Sequence, residues 1–166
     1  MNVKSALCKK EVYSLYKSAF PKQERFPFLL LSLFSLKKNV SFVAFYEQKR
    51  FCGFLYGAEN SNFFFLLFLA TSTKSKGYGS QILNFLKEKK KTIILNIEPI
   101  NQGTNIEQRK KRYEFYQRNG FEYTGYFFDE KKEEYMILSN DISSFDPKAY
   151  SKFLKGVTLS KRSLQS

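Results

Sequence analysis

The chain has 166 residues, with 28 Lys and Arg against 15 Asp and Glu, and it contains no histidine. This length suits one domain with its own core, and no apolar run is long enough to cross a bilayer. Without histidine, His bases, His-activated nucleophiles and His-containing metal sites are excluded, so acid–base chemistry must use Glu, Asp, Tyr, Lys, Cys or water.

The N-terminus and the cysteines predict a reduced, cytoplasmic protein. MNVKSALCKK has no apolar segment typical of a secretory signal, and Cys8 and Cys52 do not form a CxxC pattern. The basic residues are scattered in short clusters. We therefore interpret the charge as a dispersed surface feature rather than a nucleic-acid interface, which stays the alternative.

The first elements in chain order are two predicted helices. EVYSLYKSAF (11–20) has apolar residues at helical spacing and ends before Pro21. A second helix is predicted over 27–38, with Pro27 at its first position and two lysines at its end.

The pattern then changes to β-branched and aromatic runs. Segments 40–47, 50–59 and 62–70 predict a three-strand antiparallel meander. A helix from about Tyr78 to Lys90 follows, and the apolar run 92–99 predicts a buried, central strand.

The last part of the chain predicts a helix over 105–119 closed by Gly120, then a hairpin of 121–130 and 134–139. A short helix is predicted over 147–155, followed by a polar, basic end. The fold class is therefore α/β, with a mixed, mostly antiparallel central sheet and a βαβ crossover. We expect a domain over 1–140 and a C-terminal extension over 141–166.

Two of the eight glycines lie in KSKGYGS (74–80), between a predicted strand and a predicted helix. Backbone N–H groups point outward at such a position and favour an anion, and Lys74 and Lys76 add positive charge. The stretch lacks the Walker A pattern, and Ile82 stands where a Rossmann fingerprint has its third glycine. The residues alone leave two interpretations open, a phosphate cradle or a loop that needs a tight turn.

Two motifs in this order resemble the GCN5-related N-acetyltransferase (GNAT) family. KSKGYG has the shape R/Q-x-x-G-x-G/A, with Lys74 first, and FYQRNGF (115–121) has the shape Y-x-x-x-G-F. The resemblance covers roughly residues 3–139. It implies the GNAT-like acyl-CoA N-acyltransferase fold, with acetyl-CoA as co-substrate and no metal.

The resemblance also implies where coenzyme A binds. The glycine loop would hold the pyrophosphate, and the edge of the preceding strand would pair with the pantetheine arm. Arg109 stands where the family often has an asparagine, and Arg109 or Arg112 could contact phosphate instead. The implied cofactor-binding residues are Leu69, Ala70, Thr71, Lys74, Ser75, Lys76, Gly77, Tyr78, Gly79, Ser80 and Arg109.

Catalytic roles follow from the same resemblance. Tyr116 matches the tyrosine that protonates the departing thiolate; the alternative is a core aromatic. Glu98, at the end of the strand 92–99, is the candidate base for the amine; the alternative is a solvated carboxylate or one paired with Arg109 or Arg112. Glu24 would bind a cationic substrate or pair with a nearby basic residue.

The predicted function is direct transfer of an acetyl group to a primary amine of a small molecule or peptide. No membrane partner is expected, and the protein would be a monomer or homodimer. The alternatives are a basic RNA-binding or ribosome-associated module, and a GNAT domain that binds CoA without catalysis. Fold and cofactor do not select the acceptor.

Overall fold

The computed structural model describes residues 1–22, 24–74, 76–101, 103, 105–130, 133–157 and 163–165. The chain divides into two compact units. The first comprises Met1–Glu59 and Leu66–Glu88, and the second comprises Asn60–Phe65 and Lys89–Ser166. No helix in the described part of the chain is long and apolar enough to cross a membrane.

The first unit contains four neighbouring strands and three helices. Strands β1 and β2 pair antiparallel, as do β2 and β3. The elements in chain order are β1 (Asn2–Ser5), α1 (Lys10–Ala19), α2 (Phe28–Phe34), β2 (Val40–Glu47), β3 (Arg50–Glu59), β4 (Phe64–Thr71, of which residues 66–71 belong here) and α3 (Tyr78–Lys89).

The antiparallel pairing of β2 with β3 is confirmed, β4 lies beside β3 as the predicted meander requires, and the first turn is a two-residue hairpin. Gln48 and Lys49 connect β2 to β3 with φ values of 46° and 72°. Two consecutive left-handed residues match the right-handed twist of the flanking strands. The register then shifts from Phe45↔Gly53 to Tyr46↔Phe51, so Cys52 is the extra residue of a β-bulge.

The core of the first unit is built from aromatic rings around Tyr16. The Tyr16 ring lies 5.1 Å from Phe68, 5.8 Å from Phe28 and 6.3 Å from Phe54. Its hydroxyl accepts a hydrogen bond from the Phe26 amide at 2.8 Å and donates to the Phe26 carbonyl at 3.1 Å. One side chain therefore satisfies both backbone groups of the α1–α2 connection at Phe26.

The second helix is shorter than the predicted range 27–38. Pro27 precedes α2 with an extended ψ of 124° and is not its first helical residue. The helix ends at Phe34, where the amides of Leu36 and Lys37 bond to carbonyls three residues back. Tight turns of this kind are common where a helix ends, and the two lysines lie beyond it.

The described part of the second unit contains four neighbouring strands and two α-helices. Its strands lie in the order β5-β7-β6-β8, all antiparallel. The elements are β5 (Ile93–Ile97), α4 (Ile106–Arg118), β6 (Glu122–Glu130), β7 (Glu133–Ser139), a 3₁₀ turn (Ile142–Ser144), α5 (Pro147–Val157) and β8 (Ser163–Gln165). Gly120, with φ +75°, follows the end of α4 as predicted.

The end of the chain differs from the prediction of a polar tail without secondary structure. Residues Ser163–Gln165 form β8, which pairs with Asp129, Phe128 and Phe127 of β6. Helix α5 is present as predicted, and Tyr150 on it is completely buried. The strand β8 forms because its backbone pairs with β6, and the composition of a segment does not predict such pairing.

The observed elements confirm the predicted class. The chain is a mixed α/β protein with mostly antiparallel strands, and β4, α3 and β5 follow one another as predicted. Both cysteines are free; Cys8 is exposed and Cys52 is buried in β3.

Candidate functional site

The end of β4 is held against β3 by close backbone contacts. A Cβ on Gly53 would lie 2.3 Å from the carbonyl oxygen of Ala70, so only glycine permits this approach. Beyond the strand, the Ser72 amide donates to the Cys52 carbonyl at 2.9 Å, and the Ser72 hydroxyl donates to the Phe51 carbonyl at 2.7 Å. These contacts fix the backbone at the predicted pantetheine edge, where Leu69 and Thr71 are half-buried and Ala70 is buried.

The glycine loop has an exposed, left-handed residue directly before α3. Gly77 has φ +71°, and apart from its two neighbours in the chain no described residue has an atom within 4 Å of the position that a Cβ would occupy. Its carbonyl accepts the first hydrogen bond of the helix, from Gln81 at 3.1 Å. The first amides of α3 have no carbonyl partner within the helix, so they are available to an anion.

The other predicted loop residues differ in their positions. Lys74 and Lys76 are exposed beside Gly77. Gly79 and Ser80 are half-buried in the first turn of α3, so Gly79 is not needed for a left-handed turn. Ser75 lies outside the described residues.

Tyr78 has its side chain in the protein interior. The ring is 3% exposed, and the hydroxyl donates to the Glu47 carboxylate at 3.1 Å. Burial and the neighbouring Glu47 raise the pKa of Tyr78. Only the backbone amide of Tyr78 can therefore contact a ligand at the loop. The burial of its ring could have been inferred from the sequence, because Tyr78 lies on the same helix face as Ile82 and Leu86.

In the second unit, the candidate base is engaged in an ion pair. Glu98 directly follows β5, and its carboxylate accepts a hydrogen bond from the Arg112 guanidinium on α4. The Glu98 side chain is 17% exposed. Pairing with an arginine was one of the alternatives for Glu98, and the structure shows that this arginine is Arg112.

Tyr116 is half-buried on α4. Its ring contacts Phe115 at 5.2 Å and Phe121 at 5.7 Å between centroids. Burial raises the pKa of Tyr116 to about 12, with Arg112 lowering it and Glu98 raising it to a smaller extent. The phenol is therefore protonated at neutral pH and can donate a proton but not accept one there.

Arg109 is directed to the loop that follows Glu98. Its guanidinium donates to the Pro99 carbonyl at 3.2 Å and lies 2.9 Å from the Cβ position of Gly103. In this position Arg109 holds the loop that begins at Pro99, a role that the sequence did not predict. A cavity of about 780 Å³ lies here, lined by Arg109 and, among others, by the carboxylates of Glu98, Asp129, Glu133 and Glu134.

Glu24 lies in the first unit, in the connection between α1 and α2. It is half-buried, and its amide donates to the Pro21 carbonyl at 3.1 Å. The predicted site residues thus fall into two groups: the strand end, glycine loop and Glu24 in the first unit, and Glu98, Arg109 and Tyr116 in the second.

Comparison with known proteins finds similarity at the level of structure. No family model matches the sequence, and no curated protein matches it. A GNAT-family protein from Bacteroides thetaiotaomicron, described as an acetyltransferase, superposes with a TM-score of 0.73 at 20% identity, covering 95% of each chain.

Two further structures contain coenzyme A. An aminoglycoside 6'-N-acetyltransferase complexed with coenzyme A has a TM-score of 0.67 and 14% identity, covering 86% of this chain and 97% of that one. A Bacillus subtilis acetyltransferase in complex with CoA has a TM-score of 0.58 and 15% identity, covering 83% and 96%. The chain therefore has the fold of GNAT acetyltransferases.

Proposed function

We propose that the protein is a GNAT-type N-acetyltransferase that moves an acetyl group directly from acetyl-CoA to a primary amine. The observation that carries the proposal is the open, left-handed Gly77 at the start of α3, flanked by the exposed Lys74 and Lys76. Two structures with the same fold are complexes with CoA, which supports the same ligand here.

The residues of the glycine loop fit a pyrophosphate. Apart from the chain neighbours of Gly77, no described residue has an atom within 4 Å of its Cβ position, which supports a close approach of a phosphate to the backbone there. The amides of Tyr78, Gly79 and Ser80 would donate to its oxygens, and the two lysines would neutralise its charge. The edge of β4 at Leu69, Ala70 and Thr71 would pair with the pantetheine amides. When bound, acetyl-CoA would supply an acetyl thioester.

Tyr116 would act as the general acid. Transfer forms a C–N bond to the acceptor amine and breaks the C–S bond, which leaves a thiolate. Tyr116 would donate its phenolic proton to that sulfur and recover a proton from solvent. A pKa of about 12 keeps the phenol protonated at neutral pH, as this role requires.

Glu98 would accept the proton that the attacking amine loses, directly or through one water. Arg112 would orient the carboxylate through its hydrogen bond. The acidic lining of the neighbouring cavity supports a positively charged amine as the acceptor, because carboxylates attract such a group. Arg109 would hold the Pro99 loop that borders this cavity.

Titration calorimetry with acetyl-CoA and CoA tests the cofactor site. We expect binding with a dissociation constant on the order of micromolar. Gly77→Ala forces a side chain into a left-handed conformation, so it should weaken binding by about tenfold or more if the loop must shift. Gly125→Ala is the matched control, since Gly125 has φ +86° and an equally open Cβ position in β6.

The outcomes separate the three predicted functions. Binding that Gly77→Ala weakens and Gly125→Ala preserves supports the site, and turnover with a panel of amines then tests catalysis. Binding without turnover on any amine would indicate a non-catalytic CoA domain. No binding at millimolar ligand would reject the acetyltransferase and favour the basic RNA-binding module.

A further inference from the structure

The α2 region exposes an unusual number of apolar side chains. We call it the α2 face. Leu29 and Leu36 are 70% and 71% exposed, and Leu33 is 53% exposed. The α2 face comprises Phe26, Leu29, Leu30, Leu33, Phe34 and Leu36.

The spacing along α2 explains this arrangement. Leu29 and Leu33 are four residues apart, as are Leu30 and Phe34, so all four share one side of the helix. The other side carries Leu31, which is buried, and Phe28, whose ring lies 5.7 Å from Phe42 in the core. A helix that is apolar on both sides buries one side in its own core and leaves the second for another apolar environment.

Basic side chains lie in the segments that adjoin the α2 face. Lys22, Lys37 and Lys38 are exposed in the adjoining segments. The Lys37 ammonium lies 5.0 Å from the centre of the exposed Phe34 ring. On α1, Lys17 lies 5.2 Å from the Tyr13 ring, which itself contacts Phe28 at 5.1 Å.

We propose that the α2 face binds the surface of an anionic lipid membrane. Leu and Phe side chains would enter the boundary of the acyl chains, while the lysines beside them would contact anionic headgroups. A second copy of the chain fits less well, because two basic rims on chains of net charge +13 would repel each other. The proposal departs from the expectation of no membrane partner, which rested on spanning segments.

Co-sedimentation of the full chain with vesicles tests this proposal. We expect binding to phosphatidylcholine vesicles that contain about a third phosphatidylglycerol, and little binding to phosphatidylcholine alone. High salt should weaken the binding, because it screens the charges. Light scattering on the same sample reports whether the protein is a monomer.

Two double variants separate the apolar and the basic contributions. Leu29→Ser with Leu33→Ser should reduce binding to background. Lys37→Gln with Lys38→Gln should reduce the partition coefficient by about fivefold for each lysine. Their matched controls change exposed residues elsewhere, at Ile106 and Ile142 to Ser and at Lys110 and Lys111 to Gln, and should bind like the wild type.

Three results would overturn the proposal: equal binding to both kinds of vesicle, equal losses in the control variants, or a dimer that Leu29→Ser with Leu33→Ser dissociates. The last would assign the α2 face to self-association. Circular dichroism confirms folding of each variant. If the leucine variant does not fold, the lysine variant and its control decide the matter alone.

Discussion

The guanidinium of Arg112 on α4 donates a hydrogen bond to the carboxylate of Glu98 at the end of β5. This pair joins the candidate base to the same helix that carries the candidate acid, Tyr116. Sequence analysis left Arg109 and Arg112 equivalent as partners, and the structure distinguishes them, because Arg109 donates to the Pro99 carbonyl instead.

The pair predicts different effects for its two members. Glu98→Gln should lower kcat by about a hundredfold, because it removes the base. Arg112→Gln keeps the carboxylate and should lower kcat less than tenfold. Steady-state kinetics with an amine identified by screening measure both. The exposed pair Glu114–Arg118, at 3.8 Å on the same helix, provides the control variants. Equal losses from Glu98→Gln and Arg112→Gln would assign the Glu98–Arg112 pair to structure alone.

Tyr116→Phe should reduce kcat by about a hundredfold or more with little change in KM. Phenylalanine keeps the ring contacts with Phe115 and Phe121, so folding should be preserved. Because the pKa of Tyr116 is about 12, its titration should not appear in the rate profile between neutral pH and about pH 10. A fully active Tyr116→Phe variant would show that the tyrosine is only a packing residue.

Tyr16→Phe should destabilise the protein by about 1–3 kcal/mol. The change leaves the amide and carbonyl of Phe26 without the hydroxyl that bonds both. Thermal and urea unfolding measure the loss. Tyr13→Phe on the same helix is the control, since Tyr13 is 46% exposed and should change stability by less than about 0.5 kcal/mol.

Alkaline pH should unfold the protein. Burial is the first cause that raises the pKa of Tyr46, Tyr56 and Tyr116 to about 12, against 10.0 in the unfolded chain. The folded state then binds more protons between these values, so its stability is fully present below pH 10 and falls as pH rises toward 12.

For each of the three tyrosines the loss is at most about 1.4 kcal/mol per pH unit. Urea unfolding at a series of pH values measures it, and phenolate absorbance follows the ionisation itself. A free energy of unfolding that stays constant from pH 10 to 12 would contradict the raised pKa values of these tyrosines.

The predicted boundary after Asn140 can be tested by truncation. Tyr150 on α5 is completely buried, its hydroxyl donates to Asn96 of β5 at 2.8 Å, and its ring contacts Phe65 at 6.0 Å. A chain that ends at Asn140 should therefore lose cooperative unfolding, since it exposes these partners. A chain that ends at Val157 keeps α5 and is the comparison. Cooperative unfolding of the shorter chain at the same Tm would show that 141–166 is a dispensable extension.

The sequence alone predicted the helices α1 to α5 and the strands β2 to β7, because the spacing of apolar residues records which side of an element is buried. It also placed the glycine loop before α3, since turn residues act locally. Tyr78 shows where the loop motif and the helical spacing give different expectations. As a residue of the loop it was expected to contact the ligand, but as the first residue of α3 its ring is buried and bonds Glu47.

Only the tertiary structure decided which partner each polar group has and which apolar side stays exposed. The pairing of Glu98 with Arg112, the exposed side of α2, the burial of Tyr150 and the pairing of β8 with β6 all join residues far apart in the chain or depend on how elements pack. Local periodicity carries no information on such contacts, because their free energy depends on three-dimensional neighbours rather than on residues close in sequence.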